Sequence, residues 1–569
     1  MAETLISPGV LARENDISFI APAALEAGAA IIGPTVKGPV EEPTLVTSYG
    51  EYQRIFGTTF TSGSTKQEFL TSLAVKSYFG QGGNSVLVAR VVTGSFTAAT
   101  NSTIAAATGS ITDPFTLTTL GKGALYNNSG SQTADGSLPL GTDDNVRYEI
   151  TNVNNAKGTF SLLVRQGDDQ TKNKIILETF NDLSLDPNSA DYIESRIGNQ
   201  TKSVGTDGSS KYISVSGEYV NKSKYIRVSA VNNPTLNYLD NDGNVRVGSA
   251  SGSLPIAQSG SFAGATGENV VGGDNYFSSI NVRSQGLTSG NYSDMISVLG
   301  NKDEYVFNII STPGLTYRDH STTLDSVISL AETRGDAIAV VDLERYGVGV
   351  SDVTGRAANL NSSYAASYWP YLQMQSGTGK NEFVPASVVI PGVYAFTDGA
   401  AAPWFAPAGL TRGGIPNVIQ AERKLTRSQR DSLYNANVNP IATFPGSGIS
   451  VFGQKTLQKK PSALDRVNVR RLLIELKKFV GDVSRTLVFE QNTNVTRNRF
   501  LAQVNPYLTS VVEQQGLYAY RVVMDDTNNT ADVIDRNQLI GQIFIQPAKT
   551  VEFVVLDFTI EPTGATFGA

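Results

Sequence analysis

The chain has 569 residues, 40% of them hydrophobic, which is enough for about two to four domains with buried cores. Cysteine is absent, so disulfides and thiolate metal sites are excluded, and synthesis inside a cell fits the composition. The only histidine is His320, which argues against a hydrolase or a zinc enzyme, and the net charge of −7 argues against a general nucleic-acid binder. We expect no cofactor, no direct contact with nucleic acid and, because no apolar run is long enough, no membrane insertion.

The charge is unevenly distributed along the chain. Residues 421–499 contain 15 Lys or Arg and 6 Asp or Glu, a local net charge of +9 in a chain whose total is −7. Such asymmetry suits a subunit whose faces meet complementary partners. A solvated basic helix would give the same count, so both interpretations stay open at this point.

Residues 1–20 are predicted to be an arm. Pro8 and Gly9 interrupt regular structure early, and short apolar stretches flank them. A segment this short has no core of its own, so it should be ordered only when something else pairs with it. The arm residues expected to make contacts between subunits are Ser7, Pro8, Gly9 and Val10.

Residues 21–94 are predicted to be the first part of an α/β body. They contain a strand in AAIIGPTVKGPV, a helix over residues 68–78 and a strand over residues 85–92, which is rich in β-branched side chains. From residue 95 to about 275 the composition shifts to Ser, Thr, Asn and Gly with short alternating runs. This change predicts a β-rich outer insertion, residues 95–275, as one domain or two small subdomains.

The α/β pattern returns in residues 276–420. A strand over 304–310, a helix over 324–333 and a strand over 336–341 have the spacing of a βαβ unit, which predicts parallel pairing. The insertion therefore interrupts one α/β domain, and its two halves must meet in space.

Residues 421–546 are predicted to form a C-terminal domain of helices followed by strands. Residues 467–483 are amphipathic, and residues 497–515 form a second helix. Two strands follow, joined by a long polar loop. The first helix has a basic flank that we expect to be exposed, formed by Arg470, Arg471, Lys477 and Lys478.

Residues 547–569 are predicted to be a second arm. The stretch TVEFVVLDFTI alternates apolar and polar residues, which indicates a strand. An unpaired strand would be an aggregation hazard unless a partner accepts it. The residues expected to contact that partner are Val551, Phe553, Val555 and Phe558.

Few residues suggest chemistry. His320 lies in a predicted loop before a helix, and neither a G-x-S-x-G elbow nor a P-loop occurs, so no Ser-His-Asp triad or nucleotide motor is predicted. The pair Asp168-Asp169 lacks calcium-loop spacing and is interpreted as a turn. Trp369 and Trp404, both near prolines, are interpreted as packed loop corners, with exposed contact residues as the alternative.

Several segments, taken together, resemble phage tail sheath proteins. The start carries ISPGV, GPTVKGPVEEP and VTSYGEYQRIFG, similar to the family's S-P-G-V arm, its G-x-x-x-x-G-P loop and its T-S-x-x-E-[FY] stretch. The middle carries ASYWP, VPAS, GVYA and WFAPAG, followed by NVNPI, PGSGISVFGQKTL and VNVRRLLIELKKFV. Each motif alone is weak, but their shared order is specific and covers both ends and most of the α/β body.

The resemblance implies a structural subunit and not an enzyme. Sheath subunits of this family form stacked hexameric rings around a tail tube, and the sheath contracts to drive the tube through the host envelope. The implied fold is α/β plus a β-rich insertion, with a triad-free subtilisin-like α/β body, a C-terminal α+β sheath domain and extended terminal arms. The arms add strands to neighbouring subunits, and the basic helix is expected to face the tube.

The resemblance also implies partners and a location. The partners are other copies of the chain, the tail tube protein, and the baseplate and tail terminator proteins. The location is the virion, after assembly in the cytoplasm of the bacterial host. Three alternatives remain, namely the sheath of a related contractile injection or secretion system, a subtilisin-like protease, and a capsid or fibre protein.

Overall fold

The computed structural model describes most of the chain, namely residues 25–40, 42–62, 65–208, 210–240, 242–268, 285, 287 and 289–552. The predicted arm residues outside this description are Ser7, Pro8, Gly9, Val10, Phe553, Val555 and Phe558. Within the described ranges, no helix is both long and apolar enough to cross a membrane.

The chain before residue 95 supplies strands and helices to an α/β body. Its elements are β1 (Leu25–Glu26), β2 (Ala29–Gly33), β3 (Thr44–Val46), α1 (Tyr49–Phe56), β4 (Thr59–Ser62), β5 (Thr65–Glu68), α2 (Leu70–Gly80) and β6 (Val86–Arg90). Strands β2 and β6 pair in parallel and are buried at every residue, as their apolar sequences predict. Helix α1 begins after Ser48, whose hydroxyl accepts a hydrogen bond from the Glu51 N–H.

The next part of the chain forms a β-sandwich. Its elements are β7 (Ala98–Asn101), β8 (Phe115–Lys122), β9 (Val146–Asn154), β10 (Thr159–Gln166), β11 (Ile176–Ser184), α3 (Ile193–Ile197), β12 (Thr201–Asp207), β13 (Ser210–Ser216), β14 (Ile226–Val231), β15 (Gln258–Gly260) and β16 (Phe262–Ala263). Two four-stranded sheets, ordered β11-β10-β9-β15 and β14-β8-β7-β16, share one hydrophobic cluster. Phe115 and Phe160 stack across it with ring centroids 5.4 Å apart. The shared cluster makes one sandwich of the two sheets.

One residue of a predicted turn is also a buried ion-pair partner: the turn forms at Gly167 and Asp168, and Asp169 closes it. The Asp169 carboxylate accepts hydrogen bonds from Arg165 Nε and Nη2, both at 2.7 Å, and Arg147 Nη1 lies 3.4 Å away. All three side chains are almost completely buried. Asp169 therefore balances charge inside the sandwich, a role that the local Gly-Asp-Asp pattern does not reveal.

The second part of the α/β body follows the sandwich. Its elements are α4 (Ser293–Val298), β17 (Tyr305–Val306), β18 (Ile309–Thr316), α5 (Tyr317–Arg334), β19 (Ile338–Asp342), α6 (Val350–Ala357), β20 (Ala365–Trp369), β21 (Leu372–Gln375), β22 (Asn381–Val384), α7 (Ile390–Ala400), α8 (Gly409–Arg412), β23 (Gln420–Ala421), α9 (Arg427–Asn435), β24 (Asn439–Phe444) and β25 (Gly448–Val451). Strands β18 and β19 are parallel and joined by α5, as the βαβ spacing predicts.

One eight-stranded sheet joins the two parts of the body, in the order β25-β24-β20-β19-β18-β2-β6-β3. Strand β2 precedes the sandwich, β18 follows it, and the two pair in parallel. The halves on either side of the sandwich thus meet at the centre of the sheet. Strands β24 and β25 extend the same sheet, so it continues past the predicted domain boundary at residue 420, which local composition did not reveal.

A hairpin of the sandwich region braces it against the body. Strands β12 and β13 pair only with each other in the described chain, and their Val204 and Ile213 pack against the body's hydrophobic cluster. Lys211 Nζ lies 3.5 Å from the carboxylate of Asp294 in α4. The hairpin therefore gives the sandwich a contact with the body in addition to its two chain connections.

The last described elements form a helical layer with a small sheet. They are α10 (Val467–Arg485), α11 (Asn494–Glu513), β26 (Leu517–Val523), α12 (Ala531–Asp535) and β27 (Gln542–Pro547). The two helices and two strands are those predicted, while the predicted polar loop contains the short helix α12. Their apolar side chains form a separate hydrophobic cluster that includes Leu476, Phe500 and Leu508.

Candidate assembly interface

Helix α10 is packed on two sides. Val467 and Ile474 contribute to the cluster of the body, while Leu472, Leu476 and Val483 contribute to the cluster of the helical layer. The spacing of Val467 and Ile474 places them on one side of the helix. The helix is therefore a shared wall between the two cores.

Arg471 lies inside this wall and not on an exposed flank. Its side chain is 2% exposed, Nη2 lies 2.5 Å from Asp398 Oδ2, and the guanidinium sits 4.7 Å from the centre of the Tyr394 ring. Burial opposes the charged form, but the Asp398 carboxylate outweighs it and raises the pKa of Arg471 above its ordinary value. This ion pair joins α10 to α7 of the body.

Arg470 is also buried. Its guanidinium stacks 4.0 Å from the centre of the Tyr364 ring, and it donates hydrogen bonds to the Ser363 hydroxyl at 2.5 Å and the Ser363 carbonyl at 3.2 Å. Burial lowers the pKa of Arg470. The prediction of an exposed basic flank is therefore wrong for Arg470 and Arg471, because the polar flank of α10 packs against the body.

Lys477 and Lys478 are exposed, as the helical pattern predicts. Lys477 Nζ donates a hydrogen bond to the Tyr364 hydroxyl at 3.2 Å. Both lysines line a cleft of about 910 Å³ between α10 and the amino ends of the body strands, which Arg485 and Asp482 also line. The exposed surface thus carries mixed charge, and the two lysines are what remains of the predicted basic flank.

The hairpin of β26 and β27 has open edges. The two strands are antiparallel, with Leu517 opposite Pro547 and Val523 opposite Gln542, and no third strand pairs with them in the part of the chain that the structure describes. Helix α11 covers β26 on one side, while Tyr518 and Phe544 are 64% and 55% exposed. Open strand edges beside exposed aromatic rings are suited to accepting another strand.

The chain leaves this hairpin along residues 548–552 and returns to the body. The Ala548 N–H donates to the Gly516 carbonyl at 3.1 Å, and Gln454 Nε2 donates to the Thr550 hydroxyl at 2.5 Å. Val551, the one predicted C-terminal contact residue within the description, is 81% exposed. Its neighbours therefore fix the backbone while Val551 points away from the body.

Glu552 is held by side chains from three different segments. Arg466, just before α10, donates from Nε at 2.6 Å and from Nη2 at 3.0 Å. The Tyr434 hydroxyl of α9 donates at 2.6 Å, and Gln454 Nε2 donates at 3.2 Å. Burial would raise the pKa of Glu552, but the hydrogen bonds from Arg466 and Tyr434 outweigh it, and the pKa is lowered.

Sequence reasoning missed the set Tyr434, Gln454, Arg466 and Glu552, which is called the Glu552 clamp below. Glu552 and Arg466 are 86 residues apart. In the sequence, Glu552 is one polar position of the alternating stretch TVEFVVLDFTI, which predicts a strand. Nothing in the sequence near Glu552 indicates a contact with Arg466. The only available signal was the pair of opposite charges, which occurs many times in the chain.

The remaining residues singled out from the sequence are His320, Trp369 and Trp404, and the packing and hydrogen bonds around them are those of structural residues. His320 is buried in the first turn of α5, and burial lowers its pKa. Trp369 is buried at the end of β20 and is not a loop corner, because it completes a strand of the body sheet. Trp404 is half-buried and donates its indole N–H to the Gln514 carbonyl at 3.1 Å. In the described ranges, no three His, Asp or Glu side chains are arranged to hold a metal ion.

Two adjacent segments match known domains. Residues 285–457 match the phage tail sheath protein central domain, and residues 459–561 match the phage tail sheath C-terminal domain. These two segments belong to the phage tail sheath family. The resemblance inferred from sequence motifs is confirmed, and the border between the two sheath domains lies after β25, where the body sheet ends.

The chain has relatives among phage tail sheath proteins. The tail sheath protein of Vibrio phage KVP40 is 36% identical over 244 residues, which cover 42% of this chain and 36% of that protein. The tail sheath protein of Enterobacteria phage T4 is 34% identical over 283 residues, which cover 47% of this chain and 43% of that protein. The chain therefore spans less than half the length of these curated relatives.

A solved structure supports the fold. The crystal structure of the sheath tail protein Lin1278 from Listeria innocua matches with a TM-score of 0.53, covering 92% of this chain and 96% of that chain at 10% identity. At such low identity the likeness concerns the fold alone. The predicted mixed α/β class is confirmed.

Proposed function

We propose that this chain is a structural subunit of a contractile phage tail sheath. The subunits polymerise as stacked hexameric rings around the tail tube, and contraction drives the tube through the host envelope. The observation that carries this proposal is the match to the central and C-terminal sheath domains, in that order, over residues 285–561. The relatives named above are tail sheath proteins of phages, which favours a phage tail over another contractile particle.

Electron microscopy of the purified full chain tests this function. We expect hollow, striated tubes to form at high protein concentration. The matched control is a chain lacking residues 1–18, which should remain a folded monomer. Dispersed wild-type monomers under all conditions would contradict the proposal.

The terminal arms are proposed to link the subunits by adding strands to the hairpin of β26 and β27. The amino-terminal arm is residues 1–20 with Ser7, Pro8, Gly9 and Val10, and the carboxy-terminal arm is residues 547–569 with Val551, Phe553, Val555 and Phe558. The open hairpin edges and the alternating sequence of the second arm support this pairing. Strand addition satisfies backbone groups between chains, so such links persist while the subunits rotate relative to one another.

A proline scan of β27 tests strand addition directly. Alternate residues of an edge strand direct their N–H groups toward the partner strand and toward the open edge. Proline removes the N–H group, so one set of positions should destabilise the monomer. The other set should leave the monomer stable and abolish tubes. Loss of monomer stability at every position, or tubes formed by every variant, would count against an open acceptor edge.

Lys477 and Lys478 are proposed to face the tail tube. Their exposure and their position beyond the buried Arg470 and Arg471 support this assignment. The double charge reversal K477E/K478E should leave self-assembly intact and impair sheath growth on isolated tubes. Reversal of the exposed Lys157 on the sandwich is the control. If sheaths of the K477E/K478E variant grew normally on tubes, the proposal that these lysines contact the tube would be wrong.

The α/β body is proposed to be subtilisin-like in fold and without catalytic activity. It comprises residues 21–94 and 276–420 together with β24 and β25, while residues 95–275 form the outer insertion. The parallel core of the sheet, with α5 crossing between β18 and β19, is consistent with this fold. Contraction then needs only two packings of one subunit with different interface energies, so no cofactor is required. A peptide-cleavage assay should detect no activity, and turnover abolished by H320A would contradict the assignment.

The remaining partners follow from the same role. We propose that the sheath contacts the tail tube protein along its length and the baseplate and tail terminator proteins at its ends. Assembly takes place in the cytoplasm of the bacterial host, and the product is part of the virion. Affinity purification from infected cells, with residues 1–18 deleted as the control, should recover these proteins only with the assembling chain.

A further inference from the structure

The Glu552 clamp lies where the proposed carboxy-terminal arm leaves the subunit. Strand β27 ends at Pro547, and the clamp holds the chain five residues later. Between them, Lys549 and Val551 are exposed, and residues 548 and 550 are half-buried. Any load on residues after 552 must therefore pass the clamp before it reaches the hairpin.

The clamp connects the chain to the body at three places that are distant in sequence. Tyr434 belongs to α9, Gln454 follows β25, and Arg466 precedes α10. Gln454 is 3% exposed, and its carbonyl accepts the N–H of Val467 at the start of α10. The side chains that hold Glu552 are thus themselves fixed by the rigid part of the molecule.

The geometry of the clamp is that of a strong contact. The two hydrogen bonds from Arg466 use both oxygens of the Glu552 carboxylate, and the side chains are only 26% and 17% exposed. Charge-assisted, bidentate pairs are about twice as strong as neutral hydrogen bonds. A second carboxylate, Asp465, lies 3.0 Å from Arg466 Nη1 and leaves Nε and Nη2 to Glu552.

The hairpin alone is poorly placed to bear a load at its end. Residue 547 is opposite residue 517 at the last pair of the ladder, so a pull from there separates the strands one pair at a time. Each backbone hydrogen bond contributes only about 1 kcal/mol net. If the chain after residue 547 is held to the body by a side chain, a pull on the arm is borne by that contact and not by the hydrogen bonds between β26 and β27.

We infer that the Glu552 clamp is the mechanical anchor of the carboxy-terminal arm, transferring tension between subunits to the α/β body and protecting the β26–β27 hairpin from unzipping. This inference rests on the proposed arm linkage and adds the residues that position the arm. Glu552, Arg466 and Tyr434 are positioning residues in this role. They set where the arm leaves the subunit, and this role requires no contact between them and the neighbouring subunit.

The test compares tubes and monomers of the full chain. The first variant, E552Q, keeps the shape of the side chain and removes its charge. Amide hydrogen exchange of residues 542–546 should be at least about tenfold faster in E552Q tubes than in wild-type tubes, since a charge-assisted contact is lost. The tubes should also dissociate at lower urea, while the unfolding midpoint of the monomer changes little.

Three further variants separate the anchor from general stability. Y434F removes one hydroxyl and should give a smaller change in the same direction even if E552Q folds poorly. R466K keeps the positive charge but cannot bind both oxygens of the Glu552 carboxylate, so it should give an intermediate exchange rate. D465N, which removes the other carboxylate beside Arg466, should behave like the wild type.

The outcomes distinguish this inference from the arm proposal itself. If a chain lacking residues 553–569 forms tubes as well as the wild type, the arm proposal fails. If that deletion abolishes tubes but E552Q and Y434F tubes exchange and dissociate like the wild type, the arm remains and the anchor is refuted. An equal effect of D465N and E552Q would also refute the anchor, because it would reflect only charge around Arg466.

Discussion

The body sheet and the β26–β27 hairpin use the same backbone pairing with opposite consequences. Strands β2, β6, β19 and β20 are buried at every residue, and successive side chains of β2 enter two different hydrophobic clusters. Strand β27 alternates between exposed and half-buried residues, and its sheet ends after two strands. A sheet covered on both faces stabilises the subunit, whereas a sheet left open at its edges remains available for assembly.

The strongest destabilisation is expected at the ion pair that joins α10 of the helical layer to α7 of the body. R471A removes the buried partner of Asp398 and should lower the free energy of unfolding by about 3–5 kcal/mol, because a carboxylate is left uncompensated. Denaturant unfolding measures this change. K477A on the exposed side of the same helix is the control and should change it by less than about 1 kcal/mol. Equal effects would mean that α10 is not held by its buried face.

A pH-dependent effect of similar size is expected inside the body. Burial raises the pKa of Asp342 from 3.8 to about 7, and the Ser387 N–H donates to its Oδ1 at 3.1 Å. A pKa raised by folding means that stability is fully present below pH 4 and is lost as the pH rises through about 7. D342N stays neutral, so its gain in stability should grow with pH to the order of 4 kcal/mol at pH 8.

Thermal unfolding at pH 4, 6 and 8 measures the Asp342 effect. Asp303 is mostly exposed, and D303N is the matched control. The gain of D342N should rise steadily over this range, while D303N stays near the wild type. A gain that is the same at every pH would show that Asp342 does not titrate differently in the folded protein.

A core truncation compares the two sheets by packing alone. Ile31 in β2 is fully buried, and I31A should lower the free energy of unfolding by about 3 kcal/mol through lost burial and the cavity left behind. Urea denaturation of the monomer measures the loss. If I31A tubes formed normally after mild stabilisation with osmolyte, the body sheet would be confirmed as a scaffold with no direct part in assembly. Tubes with altered diameter would contradict that role.

The smallest effect on stability is expected in the hairpin. Phe544 is 55% exposed, so F544A should change the free energy of unfolding by only about 0.5 kcal/mol. The same change should raise the protein concentration needed for tube formation, measured by sedimentation, because an incoming strand loses an aromatic contact. V247A on the sandwich, which truncates a side chain of similar exposure, is the control. Unchanged assembly by F544A would place the acceptor surface elsewhere.

Sequence reasoning succeeded where structure is local or strongly periodic. The parallel unit of β18, α5 and β19 and the helices α10 and α11 follow from apolar spacing alone. Sequence reasoning failed for Arg470 and Arg471. The helical periodicity reveals a single apolar face, whereas α10 packs against both the body and the helical layer. The polar flank then packs against tyrosine rings and an aspartate, which a helical pattern cannot distinguish from water.

The candidate site was only partly predictable for a different reason. The open hairpin follows from its two strand patterns, but the Glu552 clamp depends on side chains 86 or more residues from Glu552 in the sequence. Such contacts are set by how the body and the helical layer fold onto each other. Asp169 is a similar case, since its turn-like sequence conceals its burial beside Arg165.

The hairpin of β12 and β13 gives the sandwich an orientation that is tied to the body. Besides the two chain crossings, Val204 and Ile213 pack against the body and Lys211 contacts Asp294. Further ion pairs, Lys37 with Asp144 and Lys202 with Glu42, cross the same junction. The sandwich should then rotate together with the body of its subunit as one rigid unit. Paired fluorophores on sandwiches of adjacent subunits would report the turning angle during the proposed contraction. The single change K211A leaves the other contacts in place and should leave that signal unchanged.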